Sequence, residues 1–114
     1  MVWDSRVDVH VYNQPTDMRK SHDGLAALCR HVIGNDPLGG HVFVFMNKRR
    51  DRVKALYWDG TGLCLLYKRL ETGQFTNLWD PDQPQRLSTM ELRLLIEGAE
   101  LKGKLPLTPP EFEI

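Results

Sequence analysis

Cysteine is scarce in this chain, which has only Cys29 and Cys64 among its 114 residues. So few cysteines argue against the class of small secreted domains that disulfide bonds hold together. Both residues lie in apolar segments, and we expect buried free thiols in a protein of the reducing cytoplasm.

Long apolar runs are also lacking. No stretch approaches the ~18 residues that a membrane-spanning helix requires, so we expect no membrane contact. The N-terminal residues, among them Asp4, Arg6 and Asp8, lack the apolar core of a signal peptide. A chain of this length is most simply one domain, which can bury a single core without metal ions or disulfide bonds.

The motifs of common catalytic and metal sites are absent as well. Gly60 and Gly62 lie in a hairpin signal, not before a helix as a phosphate-binding loop requires. Cys29 and His31 are too close in sequence for a nucleophile and its base. Cysteine or carboxylate partners at zinc-ligand spacing are missing around all four histidines: His10, His22, His31 and His41. We therefore predict no catalytic residue, no metal ligand and no cofactor.

What the chain does have is an uneven charge distribution. Residues 1–40 carry four Lys or Arg and five Asp or Glu, so their net charge is −1. Residues 41–70 carry seven basic and two acidic residues, a net charge of +5, whereas residues 71–114 carry four and eight, a net charge of −4. The basic residues of the middle segment are interleaved with the aromatic residues Tyr57, Trp58 and Tyr67 on predicted strands, which favours contact with a polyanion.

Periodicity predicts the elements of the N-terminal half. Apolar and polar residues alternate over 7–11, which is typical of a half-buried strand. A helix is predicted over 17–33, with Thr16 as its N-cap and Gly34 at its end. Its apolar stripe contains residues at three- and four-residue spacing, namely Met18, His22, Leu25, Cys29 and Val32.

An antiparallel meander is predicted to follow, with strands over 42–46, 52–58, 63–70 and 75–78. Ser88 and Glu91 match a capping box, and Leu87 with Leu92 matches the hydrophobic staple around it. A second helix is predicted over 89–100, with an apolar stripe of Met90, Leu94, Leu95 and Leu101. The predicted fold class is α+β: an N-terminal strand, one helix, a three- to four-stranded antiparallel meander and a C-terminal helix. Residues 1–101 would form the domain and residues 102–114 a flexible tail.

A two-residue hairpin loop, Gly60-Thr61, sets the register of the two central strands. It places Arg52 opposite Arg69, and Lys54 opposite Tyr67, on one face of the sheet. Like charges directly opposite each other are mildly destabilising, and an anionic ligand would compensate for them. The predicted DNA-binding residues are Lys48, Arg49, Arg50, Arg52, Lys54, Tyr67, Lys68 and Arg69. The alternative is an ordinary solvated edge, which Asp51 and Glu71 partly neutralise.

Several motifs resemble one known family in both order and spacing. They are TDMRK at 16–20, DGLAAL at 23–28, DP at 36–37, VFVF at 42–45, WDG at 58–60 and YKRLETGQF at 67–75. Together they resemble the TnpB accessory proteins, also called Orf2 proteins, of bacterial insertion sequence 66 elements. The likeness covers about residues 6–100. The pair Ser21-His22 departs from the family, which usually has a small residue followed by Phe there.

The resemblance implies a cytoplasmic accessory protein for transposition, with the catalytic carboxylates carried by a separate, larger transposase. Combined with the basic segment, it leads us to expect a non-catalytic protein that binds DNA, at the ends of the element. The alternative is a protein adaptor that docks on the transposase, or on other proteins of the same element, without touching DNA. The acidic C-terminal third motivates that alternative.

Overall fold

The computed structural model of the protein describes residues 6–80, 86–98, 101–102 and 105–106. It confirms the predicted α+β class, since helices pack on both faces of a five-stranded sheet. The strands are β1 (Val9–Val11), β2 (Val42–Met46), β3 (Arg52–Trp58), β4 (Leu63–Arg69) and β5 (Arg86–Leu87). Their order across the sheet is β4-β3-β2-β1-β5, so the predicted meander is the antiparallel unit β2-β3-β4.

The N-terminal strand lies inside the sheet. It pairs in parallel with β2, with Val9 beside Val42 and Val11 beside Val44. Parallel neighbours need a crossover connection, and helix α1 (His22–Leu28) belongs to that connection. The other edge of β1 pairs antiparallel with β5. Sequence patterning predicted the strand but not this parallel pairing.

The first helix is shorter than the predicted range of 17–33. It begins at His22 after the N-cap residue Ser21, and Cys29–Ile33 continue it as a π-helical turn. Thr16 was predicted as the N-cap, and that prediction is wrong. Thr16 is buried, and its backbone N–H donates to the last carbonyl of β2 at 2.8 Å.

The apolar stripe of this helix is narrower than predicted. Leu25 and Cys29 are buried as expected, whereas Val32 is 60% exposed and His22 is exposed at the start of the helix. Gly34 ends the helical segment with a φ of 82°, a left-handed conformation that glycine adopts without steric cost.

The sheet separates two cores. Every residue of β2 is buried because helices cover this central strand on both faces. The core beneath α1 contains Leu25, Ala26, Cys29, Phe43, Phe45 and Leu56. The opposite core packs helix α2 (Thr89–Ile96) against the sheet and contains Val9, Val11, Val42, Val44, Met46, Val53, Ala55, Phe75, Leu78, Leu87, Leu92 and Leu95.

The predicted capping box begins α2. Ser88 Oγ accepts the Glu91 backbone N–H at 3.0 Å, and Glu91 Oε1 accepts the Ser88 backbone N–H at 3.0 Å. Leu87 and Leu92 are both buried, as the staple requires. Met90 was predicted on the apolar stripe, but its side chain is 69% exposed, so that prediction is wrong.

Two predicted elements differ from the structure near the C-terminus. Residues 75–78 form no strand. Phe75 and Leu78 are nevertheless buried under the sheet, so the apolar pattern of this segment indicates burial and not strand structure. Helix α2 ends at Ile96, and Leu101–Lys102 (β6) pair antiparallel with Leu105–Pro106 (β7). The other residues of the predicted tail, and residues 81–85 of the preceding loop, lie outside the described residues. Among the residues described, no helix is both long and apolar enough to cross a bilayer.

Candidate nucleic-acid interface

The hairpin that positions the basic residues has the predicted two-residue loop. Asp59 and Gly62 flank it, and the Asp59 backbone N–H donates to the Gly62 carbonyl at 3.1 Å. The Asp59 carboxylate accepts the backbone N–H groups of Thr61 and Gly62, both at 2.9 Å. These bonds lower the pKa of the Asp59 carboxyl to about 2, since they stabilise its charged form.

This loop gives the β3–β4 register that the sequence predicts. Arg52 lies opposite Arg69, and Lys54 lies opposite Tyr67. The two arginines have different partners, because Arg52 donates to the Tyr67 hydroxyl at 3.1 Å and Arg69 donates to Glu71 at 3.0 Å. Tyr67 and Glu71 therefore hold the two like-charged arginines in place.

Lys54 is buried, and its side chain stabilises the fold. Its side chain is only 5% exposed, and Nζ donates to the carbonyl oxygens of Met18 at 2.7 Å and Lys20 at 2.6 Å. The ammonium also lies 4.5 Å from the centre of the Tyr67 ring, in a cation–π contact. These bonds fix the 16–20 segment on the sheet and leave Lys54 poorly placed to meet a phosphate.

Lys68 faces the opposite side of the sheet. It pairs with Val53, whose side chain belongs to the core beneath α2. Its Nζ donates to the Ile96 carbonyl at 2.6 Å, at the C-terminal end of α2, where a cation is favourable. The sequence-based prediction grouped Lys68 with the other cations by charge, although strand alternation places it on the face opposite Arg69.

Arg50 is constrained by its backbone. Its φ is 57°, an uncommon value for a residue other than glycine. The Phe75 backbone N–H donates to the Arg50 carbonyl at 2.7 Å, and Arg50 Nη1 donates to the Phe75 carbonyl at 3.0 Å. This reciprocal pair holds the turn against the 74–75 segment and offsets the strained conformation.

Hydrogen bonds of the Asn47 side chain hold the turn before β3. Asn47 Oδ1 accepts the backbone N–H groups of Asp51 at 3.1 Å and Arg52 at 3.0 Å. Asn47 Nδ2 donates to the Asp51 carboxylate at 2.6 Å, which lowers the pKa of that carboxyl. Lys48 and Arg49 are exposed at the tip of this turn.

Two open clefts meet at this end of the sheet. The larger, of about 430 Å³, lies between the 16–19 segment and the 47–52 turn and is lined by Arg19, Lys48, Arg49 and Arg52, together with Asp17 and Asp51. The smaller, of about 370 Å³, is lined by Arg52, Tyr67, Arg69 and Glu71. Arg52 borders both clefts, so they form one continuous basic edge, which we define as Arg19, Lys48, Arg49, Arg52 and Arg69.

Arg19 is the residue of the basic edge that sequence reasoning did not include. It is 92% exposed and forms an ion pair with Asp17 at 2.6 Å. The side chain of Arg19 lowers the pKa of the Asp17 carboxyl to about 2. No charge pattern in the sequence connects Arg19 with the 47–52 turn, because only the fold of the 16–20 segment onto the sheet brings them together.

Other reactive side chains lie away from the basic edge. Cys29 is fully buried, and burial raises the pKa of its thiol to about 12. Cys64 is half-buried, and burial, followed by its contact with Asp59, raises the pKa of this thiol too. Both thiols are free, as predicted. A further group consists of Asp8, His10 and His41, whose potential ligand atoms all lie within 4.8 Å of one another.

Comparison with known proteins identifies the family. A family profile described as IS66 Orf2 like protein matches residues 7–105. The uncharacterized protein y4jC of Sinorhizobium fredii is 39% identical over 92 residues, covering 81% of this chain and 79% of that protein. A second uncharacterized protein of the same strain, y4hO, is 38% identical over 96 residues, covering 82% of each chain. No solved structure matches the chain. The chain therefore belongs to the IS66 Orf2-like family, the accessory proteins of an insertion sequence.

Proposed function

We propose that this accessory protein acts without catalysis of its own and binds DNA phosphates along the basic edge, at the ends of the element. The observation that carries the proposal is the position of Arg52, which borders both clefts and so joins the cations of the 47–52 turn to those of β4. Guanidinium groups suit this role because their planar fork matches two phosphate oxygens.

The charge balance of the edge favours moderate binding. Five cations line the two clefts with three carboxylates, those of Asp17, Asp51 and Glu71. Asp17 and Glu71 hold Arg19 and Arg69 in place, so an incoming phosphate competes with an existing ion pair. Such contacts position a duplex without reading its bases, and we expect most of the affinity to be independent of sequence.

Tyr67 adds a second kind of contact. Its side chain is 47% exposed, while Arg52 holds its hydroxyl and Lys54 covers part of its ring. An immobilised aromatic ring beside cations is suited to stacking with an unpaired base. Single-stranded termini at the ends of the element would use this contact, whereas an intact duplex would not.

Fluorescence anisotropy with a labelled element-end duplex tests the proposal. The variant to compare with the wild type is Arg49→Glu with Arg69→Glu, which reverses one charge in each cleft. Its matched control is Arg30→Glu with Arg93→Glu, at exposed arginines elsewhere on the protein. We expect the first set to weaken binding by at least about tenfold, and the control set much less.

Circular dichroism and thermal unfolding establish whether both variants are folded. Equal affinity of the folded first set and the wild type would overturn the proposal. Equal losses in both sets would also overturn it, because they would show a response to net charge and not to the basic edge.

The adaptor function is the second candidate, and one feature of α2 favours it. Met90 is 69% exposed on this helix, within the C-terminal third whose net charge is negative. An exposed methionine in a segment of negative net charge suits a partner protein better than DNA. Co-purification with the transposase of the element that persists after nuclease treatment, and that Met90→Asp abolishes, would support this function.

A further inference from the structure

We propose that Asp8, His10 and His41 form a binding site for a divalent transition-metal ion such as Zn²⁺. Their potential ligand atoms, one from each side chain, all lie within 4.8 Å of one another. The group lies on the face of the sheet that packs beneath α1, where the His10 ring stacks on Phe43 at a centroid distance of 5.2 Å. The site is separate from the basic edge, so this proposal does not depend on DNA binding.

The sheet explains why these three side chains meet. Asp8 immediately precedes β1 and His10 lies within it, two residues further on, so the alternation of side chains places both on the same face. His41 immediately precedes Val42, whose backbone N–H donates to the Asp8 carbonyl at 3.0 Å. The parallel pairing of β1 with β2 thus brings His41 beside Asp8, although 33 residues separate them in the chain.

This pairing also explains why the sequence predicted no metal ligands among the histidines. Ligand motifs are recognised by short spacings, such as two histidines one helical turn apart. Here the ligands come from adjacent strands joined by a long crossover, and their spacing in the sequence matches no metal-ligand motif.

The chemistry of the three side chains suits zinc. Two imidazoles and one carboxylate are a common zinc ligand set, which leaves a fourth tetrahedral position for water or another donor. Tetrahedral ligands at about 2.0–2.1 Å from the ion lie roughly 3.4 Å from one another. Side-chain rotation therefore has to bring the three donor atoms closer together on binding. Asp8 is exposed and the histidines are half-buried, so an ion can reach them from solvent.

Two features of the site oppose a cation. His41 Nδ1 accepts the Asp8 backbone N–H at 3.2 Å. A metal bound to Nδ1 takes the place of this hydrogen bond. A metal bound to Nε2 leaves the ring proton on Nδ1, which can then no longer accept the Asp8 N–H. Arg86 lies opposite His10 across β1 and β5, and its guanidinium is 3.9 Å from the Asp8 carboxylate. A bound cation has to displace or tolerate this positive charge, so Arg86 limits the affinity.

A metal here would hold β1 to the start of β2 by direct bonds. The structure thus assigns to this end of the sheet a ligand of a different class from the phosphates at the basic edge.

Calorimetric titration of the chelator-treated full chain with Zn²⁺ tests the site. We expect one ion per chain, with affinity reduced by at least about tenfold in His10→Ala, His41→Ala and Asp8→Asn. The chain offers matched controls in His22→Ala and His31→Ala, which remove exposed imidazoles elsewhere and should leave the affinity unchanged. Arg86→Ala should tighten binding severalfold, because it removes the opposing charge.

Titration with Co²⁺ separates this site from binding at the half-buried Cys64. Ligation by nitrogen and oxygen gives weak visible bands, whereas a thiolate ligand adds an intense near-ultraviolet band. No binding of Zn²⁺ at millimolar concentration would overturn the proposal. So would unchanged affinity in folded Asp8→Asn and His41→Ala variants, or an intense thiolate band that Cys64→Ser removes.

Discussion

Arg52 and Arg69 lie directly opposite each other across β3 and β4, two like charges at a position where opposite charges would stabilise the strand pairing. Each has its own partner, Tyr67 for Arg52 and Glu71 for Arg69. Both arginines also line the smaller cleft of the basic edge. A pair that weakens the fold slightly and concentrates positive charge at an open cleft favours binding of an anion over stability.

Substitution of Arg69 by glutamate should separate these two effects. Arg69→Glu puts opposite charges across the strands, which should stabilise the fold by up to about 1 kcal/mol. The loss of the ion pair between Arg69 and Glu71 reduces this gain. The same change should weaken DNA binding, because a carboxylate replaces a phosphate contact. Urea unfolding measures the first effect and anisotropy the second. Lower stability together with unchanged DNA affinity would contradict this interpretation of the pair.

Lys54 should matter for the fold. Lys54→Met leaves the carbonyls of Met18 and Lys20 without their donor, and we expect a loss of about 1–3 kcal/mol in the free energy of unfolding. Lys48→Met, at the exposed tip of the turn, is the control and should change stability by no more than about 0.5 kcal/mol. Equal effects of the two substitutions in urea unfolding would show that the buried hydrogen bonds of Lys54 contribute little.

The two helix N-caps provide a matched pair. Ser88 caps α2 through its side chain, whereas Ser21 precedes α1 without a side-chain hydrogen bond to the helix backbone. Ser88→Ala should therefore reduce the free energy of unfolding by about 0.5–2 kcal/mol. Ser21→Ala should have a much smaller effect on the same measurement. A larger loss from Ser21→Ala than from Ser88→Ala would contradict the observed capping.

Asp59 should make stability depend on pH in the acid range. Its pKa is about 2 in the folded protein, below the value of about 3.9 for an unfolded chain. The carboxylate therefore contributes stability that is fully present above pH 4 and is lost as the pH falls toward 2. Asp59→Asn should flatten the curve of melting temperature against pH over this window. An unchanged slope in that variant would show that the hairpin bonds do not depend on the charge.

Sequence patterns predicted the parts of this protein that depend on local rules. The hairpin register followed from the Gly60-Thr61 loop, and the capping box followed from the spacing of Ser88 and Glu91. Alternation and apolar runs also located the strands β1 to β4. These features depend on neighbouring residues, so a single sequence carries enough information to find them.

Features that depend on distant contacts could not be found in this way. Met18 and Lys20 lie in a segment of helical periodicity, but their carbonyls bind Lys54, and helix α1 starts only at His22. The same contacts remove Lys54 from the basic edge and bring Arg19 to it. Lys68 is a further case, because its hydrogen-bond partner, the Ile96 carbonyl, lies 28 residues away in the sequence.

The central claim is that the basic edge binds DNA phosphates, and the salt dependence of binding tests it most directly. Anisotropy titrations of the wild type with element-end and scrambled duplexes at a series of salt concentrations give the slope of log affinity against log salt. Five phosphate contacts, one from each residue of the basic edge, predict a slope of about −4 to −5, and loss of Arg69 should reduce its magnitude by about 1. Absence of binding at low salt, or a slope that charge reversal along the basic edge does not alter, would contradict the account.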